Sequence, residues 1–202
     1  MIEEPKCPVC GAPFLSETVP AHLCGRCIKR RPPFKRARSW GIYDKALRDA
    51  VREFKFHARH GLCRPLADLL GEVYDRDMAD RGFNLVIPVP LHKRRLRERG
   101  FDQATLLARS LSKRNGLELS LYNLRRRRFT MPQYGLTLRA REANVRGAFD
   151  LKKPEQIKGR DVLLVDDVYT TGATVKECAR VLRRAGAKEV GVITLARGGV
   201  GK

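Results

Sequence analysis

The stretch VLLVDDVYTTGAT, Val162 to Thr174, joins a continuous apolar run to two adjacent carboxylates and then to a Thr/Gly turn. A short apolar run bounded by a turn reads as a strand buried on both faces, and the residues from Thr174 to about Ala185 read as a helix closed by Gly186. In an open α/β sheet the carboxyl end of a strand borders the ligand crevice, so Asp166 and Asp167 fall where a ligand sits. Ionised carboxylates only accept hydrogen bonds, which suits the pair to the vicinal hydroxyls of a ribose. The turn Thr170-Thr171-Gly172-Ala173-Thr174 offers backbone N–H groups, hydroxyls and a helix N-terminus, together a cradle for a phosphomonoester. Gly172 lets the backbone come close.

Two other readings of this stretch carry less weight. An apolar strand ending in Asp also serves P-loop NTPases, but these need a GxxxxGK[ST] loop and the chain has none. Simple capping of the following turn accounts for one acid before a threonine, not for two acids before a five-residue cradle.

Outward from this centre, strand and helix alternate as a parallel sheet requires. Glu189 to Leu195 forms a strand after the helix, and Asn84-Leu-Val-Ile-Pro-Val-Pro90 reads as an earlier buried strand ending at its prolines. A helix from about Asp102 to Arg114, closed by Gly116, leads to a strand near Leu117 to Leu121. Two amphipathic helices come before the sheet, one carrying Leu47, Ala50, Val51 and Phe54, the other running from Pro65 through Leu66, Leu69, Leu70, Val73 and Tyr74. Between the second and third of these strands lie roughly forty residues without clear periodicity, a length that marks a connector or a functional lid. They include Arg125-Arg-Arg-Arg128, Gln133, Arg139, Arg141, Asn144 and Arg146.

With 202 residues, 43% of them apolar, the chain has enough material for one α/β domain and a small appendage. The appendage announces itself through cysteine. Cys7/Cys10 and Cys24/Cys27 are two CxxC knuckles that can present four thiolates to Zn²⁺, in a segment too poor in apolar residues to fold otherwise. Four protein ligands leave no open position, so such a metal is structural. His22 reads as a solvated loop residue rather than a spare ligand, and Cys63 and Cys178 fall in helical patterns. Lys29 to Arg38, KRRPPFKRAR, carries six basic residues and no acid and reads as a linker, which divides the chain into residues 1–38 and 39–202.

Lys and Arg total 42 against 22 Asp and Glu, a formal charge of +20, of which residues 161–202 hold only +2. A polyanion is therefore an expected partner, and its surface belongs to the front of the chain. No run approaches the ~18 apolar residues of a membrane span, and MIEEPKCPVC lacks the features of a secretory signal, so no membrane insertion and a cytoplasmic location are expected.

VLLVDDVYTTGAT resembles the phosphoribosyl pyrophosphate (PRPP) signature of type I phosphoribosyltransferases. The four cysteines, Phe54-Lys-Phe-His57, PVPLHKRRLRERGFDQ from Pro88 to Gln103, Pro132-Gln133, Arg141 with Asn144, Gly147-Ala-Phe149 and Leu195-Ala-Arg197 extend the likeness to the ComF family over essentially the whole chain. Members commonly have Asn where Asp102 stands; Asp102 is also a good N-cap. The resemblance implies a type I phosphoribosyltransferase-like parallel sheet flanked by helices for 39–202. It also implies Mg²⁺ with PRPP, a pyrophosphate loop at Leu91, His92, Lys93, Arg94 and Arg95, and a closing loop that carries Arg141 into catalysis with Asp166 and Asp167.

The implied chemistry is displacement at ribose C1 while basic groups receive the departing pyrophosphate. The acceptor's acid or base is unassigned, with His57, His60 and His92 as candidates by residue type, while Lys55 reads as a phosphate contact or a solvated lysine. The resemblance implies partners among competence proteins and, as related transferases often pair, a homodimer. A different class of function stays open beside the enzyme: a catalytically silent single-stranded DNA-binding or protein-adaptor module of the transformation machinery, with the PRPP fold as scaffold. Stacking aromatics are sparse in the basic region, which weakens the strand-binding argument.

Overall fold

The computed structural model describes residues 1–14, 16, 20–56, 60–131 and 137–198. His57 and Pro132-Gln133, singled out above, lie outside them. In chain order the elements are α1 (Gly25–Lys29), β1 (Arg36–Ile42), α2 (Lys45–Phe56), α3 (Cys63–Asp77), β2 (Leu85–Pro88), α4 (Lys93–Arg99), α5 (Gln103–Asn115), β3 (Glu118–Leu119), β4 (Leu124–Arg126), α6 (Leu138–Val145), β5 (Phe149–Leu151), β6 (Asp161–Tyr169), α7 (Ala173–Arg184) and β7 (Glu189–Arg197).

Five strands form one parallel sheet in the order β1-β7-β6-β2-β3. The central strands read as unbroken apolar runs because both faces are covered. Val86, Leu163, Val165 and Ile193 point to the face packed by α2, α3 and α5 through Val51, Phe54, Leu70, Leu107 and Leu111. Leu85, Ile87, Val162, Leu164 and Val192 point to the other face, which meets Val175, Cys178 and Leu182 of α7, Phe149 of β5, and Cys7, Cys10 and Phe34 of the N-terminal segment. The cysteine knuckles thus share a core with the sheet.

Four features depart from the sequence reading. First, β1 begins at Arg36, so the stretch read as a linker through Arg38 already belongs to the sheet, and the division at residue 38 falls inside a strand. Basic residues hid this strand because their charge is met internally. Arg38, 4% exposed, lies 3.5 Å from the Asp77 carboxylate and donates to the Ala37 carbonyl, while buried Lys6 pairs with Asp77 at 3.0 Å. Removing Asp77 would leave buried Arg38 without this carboxylate and buried Lys6 with the exposed Glu4 at 3.5 Å, which is where such networks are costly to break.

Second, the basic stretch after β2, which the resemblance implies is a loop at Leu91 to Arg95, is helix α4 from Lys93 onward. The His92 ring nitrogen caps it by accepting from Arg94 N at 3.2 Å, Arg94 pairs with Glu98 at 3.1 Å, and Gly100 ends it at φ 78°. Third, the aperiodic segment contains α6 and an antiparallel ribbon in which Leu124 faces Leu151 and Arg126 faces Phe149. Three-residue strands are too short for alternation to show. Fourth, β6 continues through both aspartates to Tyr169, with Asp166 opposite Thr194 of β7.

The capping signals hold. Asp102 accepts from Thr105 N at 3.3 Å at the start of α5, and Gly116 closes that helix in the left-handed region. No described helix is long and apolar enough to cross a membrane.

Candidate functional site

A cleft of about 320 Å³ opens at the carboxyl ends of β2 and β6. Asp166, Asp167, Thr170 and Thr174 form one wall, Leu91 and Pro90 another, and Lys55, Arg99, Arg126 and Arg141 surround them with positive charge. Of the predicted set, the structure brings Asp166, Asp167, Thr170, Thr174, Leu91 and Arg141 to this cleft. Thr171 and Gly172 make the turn between, where the Thr171 hydroxyl accepts from Ala173 N at 3.4 Å. His92, Lys93, Arg94 and Arg95 are not among the lining residues. Instead, His92, Arg94 and Arg95 gather around the Phe129 ring, the guanidinium carbons at 4.9 and 5.9 Å from its centroid.

Packing two carboxylates side by side at the end of a buried strand has an electrostatic consequence. Burial and, after it, the Asp167 charge push Asp166 up to about 8, against the pull of Lys55. The Asp166 carboxylate accepts from Asp167 N at 2.9 Å, and Asp167 itself pairs with Lys55 at 2.8 Å. Lys55 is therefore a partly buried member of the site and not a solvated helix residue. Its position is fixed from behind: Gln103, 1% exposed, donates to the Lys55 carbonyl and accepts from Arg99. Burial also lowers Arg99 and Arg126 from the ordinary arginine value. The Arg126 Nε is buried without a hydrogen-bond partner among the described residues, while its guanidinium lies over the Phe149 ring at 5.3 Å.

Known proteins resemble this chain over most of its length. The family described as "Phosphoribosyl transferase domain" matches residues 97–202. A Salmonella typhimurium protein named DNA utilization protein YhgH is 38% identical over 196 residues, covering 95% of this chain and 83% of its own length. Competence protein F of Haemophilus influenzae is 36% identical over 96% of this chain and 85% of its own. Competence protein ComFC of Bacillus subtilis is 30% identical over 95% of this chain and 77% of its own. The chain belongs to the ComF family.

Within this ComF chain the second cluster is the cysteine quartet. The four Sγ atoms of Cys7, Cys10, Cys24 and Cys27 lie within 4.8 Å of one another, and all six cysteines of the chain are free thiols. Four sulfurs around Zn²⁺ at about 2.3 Å stand about 3.8 Å apart, so this set fits a tetrahedral structural zinc. Burial works against ionisation at Cys7, but the Cys24, Cys10 and Val9 amides outweigh it and bring the thiol down to about 7. His22 lies outside the quartet, exposed and stacked on Phe14 at 4.0 Å.

The quartet reaches the cradle of the ComF fold by way of Arg197 and Tyr169. Buried Arg197 at the end of β7 donates to the Cys10 carbonyl at 2.7 Å, places Nη2 3.6 Å from Cys10 Sγ, and covers the Tyr169 ring at 4.5 Å. Tyr169 in turn presses on Gly172, where an added Cβ would collide with the phenol oxygen. Gly172 also holds φ 76° as the N-cap of α7. Gly172→Ala is accordingly expected to cost about 1–2 kcal/mol in urea unfolding from the backbone strain alone, with further loss from displacing Tyr169.

Sequence reasoning assigned no role to Arg99, Gln103 or Arg126. Gln103 offered a signal, as a polar residue on the apolar face of a helix; Arg99 shares with it the run Pro88 to Gln103 that carries the family resemblance, while Arg126 stood among other arginines in a basic run.

Proposed function

We propose that the chain binds PRPP with Mg²⁺ and works as a phosphoribosyltransferase, in the cytoplasm. The observation that carries this reading is the adjacency of the Asp166/Asp167 pair with Thr170 and Thr174, the two ends of the turn, in one cleft ringed by cations. Asp166 and Asp167 would accept from the ribose hydroxyls, and the N-terminus of α7 with Thr170 and Thr174 would hold the 5'-phosphate. Lys55, Arg99 and Arg126 would meet the pyrophosphate as the C1–O bond breaks and its electron pair leaves with that group, while an acceptor lone pair forms the new bond at C1. Arg141 would help to exclude water over the cleft. When bound, Mg²⁺ supplies charge neutralisation to the pyrophosphate oxygens.

Calorimetric titration of PRPP with and without Mg²⁺ tests the reading. Binding is expected only with the metal, and affinity should rise about tenfold from pH 7 to pH 9. The sign follows from Asp166: at about 8 it is mostly protonated at pH 7, and binding that uses the carboxylate as an acceptor must first remove that proton. Absence of heat under every condition would overturn it.

A second reading is DNA binding within the competence machinery. It is supported by the formal charge of +20 and by relatives named for DNA utilization and competence.

A further inference from the structure

A second cleft, of about 210 Å³, is lined by Ala173, Lys176, Glu177 and Arg180 of α7 and shares no lining residue with the first, although Ala173 adjoins Thr174 of that site. Its construction differs from a solvated charged face. The floor is apolar, made by Val145 and Ala173 at 1% and 3% exposure, and the walls converge from three parts of the chain. Arg30 and Arg31 come from the stretch after α1, Arg146 from the end of α6, and Lys176 and Arg180 from one stripe of α7. Against these five cations stand two acids, both already engaged. Glu142 meets Arg30 at 3.7 Å and Lys176 at 3.4 Å, while Glu177 accepts from Gly147 N at 2.9 Å and from Arg180. Arg31 and Arg146, both exposed, meet no carboxylate among the described residues.

Such a hollow keeps cations close together with nothing to neutralise the surplus. Arg180 registers the crowding: burial first, then Arg30, Arg184 and Arg146, lower it from the ordinary arginine value. Planar guanidinium groups match the oxygens of a phosphate in pairs, and several converging on an enclosed floor select that anion over a carboxylate-bearing surface.

We propose that this outer cleft is a second phosphate-binding site, separate from the PRPP cleft and independent of whether PRPP binds there. The phosphate belongs either to a free nucleoside monophosphate or to the backbone of a single strand.

The experiment titrates two probes, adenosine 5'-monophosphate and a fluorescein-labelled twelve-nucleotide thymidine strand. They are added to the full chain, to Arg31→Glu/Arg146→Glu, and to a control pair, Arg52→Glu/Lys113→Glu, on exposed positions of α2 and α5 across the sheet. The outer pair is expected to weaken at least one probe by tenfold or more at 0.1 M salt, and the control pair by clearly less. Loss for the strand, with its log-log salt slope shallower by about 1.4 for two lost phosphate contacts, identifies a strand backbone. Loss for the monophosphate alone identifies a free monoester. Should charge reversal impair folding, as read by thermal unfolding, Arg31→Gln/Arg146→Gln replaces it with the same expected direction. The proposal is overturned if the outer pair changes both probes by less than twofold, if the control pair does equal damage, or if the unaltered chain binds neither probe.

Discussion

Asp166→Asn/Asp167→Asn is expected to lower PRPP affinity by about 10²–10⁴-fold while leaving the fold in place. Each carboxylate is assigned a charged hydrogen bond to the ribose, and losing one such bond costs about 1.5–3 kcal/mol. The double variant loses two. The fold should tolerate the change because asparagine has nearly the same shape and Asp166 already resists ionisation in its buried setting. Lys55, the partner of Asp167, is 19% exposed and can turn to solvent. Calorimetry and thermal unfolding on the same samples separate the two effects. Affinity within threefold of the unaltered chain would show that the aspartates do not hold the ligand. A collapse in melting temperature would show instead that the pair is structural.

Cys10→Ser, or chelation of the metal, is expected to have the largest effect on stability. Among the described residues, the segment before β1 has one five-residue helix and one bridge, Lys6 with Pro13, so it has little regular structure of its own and depends on its packing against the sheet, the Lys6–Asp77 pair and the quartet. Structural zinc binding contributes on the order of 10 kcal/mol to small cysteine modules, far more than a surface contact. The damage should spread, since Cys7 and Cys10 pack in the same core as Val162 and Leu164, and Arg197 joins Cys10 to Tyr169. Hydrogen exchange should therefore rise in residues 1–35 first and then at the turn before α7. Metal analysis of the purified chain is expected to give one zinc per molecule. A chain without zinc that melts unchanged after chelation would refute this assignment.

Much of the sheet was legible because buried parallel strands have a plain signature. Val162–Val165, Leu85–Pro88 and the strand after Gly186 are unbroken apolar runs, and Gly116 and Gly186 end the helices where expected. β1 escaped because Arg36 and Arg38 break that signature, and only the fold reveals that Asp77, about forty positions later, compensates them. The cradle and the aspartates were readable as a contiguous motif. Lys55 was legible in part, as one of two readings of that lysine, whereas Arg99 and Arg126 received no role, since the three reach the cleft from separate elements. Helix α4 escaped for a related reason: five cations in seven residues look solvated, yet His92 and Glu98 are placed to cap and pair them.

The sheet's edge strand has a consequence for the order of events during synthesis. β1 leaves the ribosome early, but among the described residues the strand it pairs with is β7, and the Ser39 hydroxyl meets that of Thr194 across 155 positions of sequence. Closing so distant a pair is slow, and until then β1 presents an unpaired edge open to other chains. The knuckles precede β1 directly and draw on cysteines within the first 27 residues, so they can assemble while the rest of the chain is still being made. Nascent ComF chains starved of zinc should then show their deficit as aggregation during translation, before any ligand is encountered.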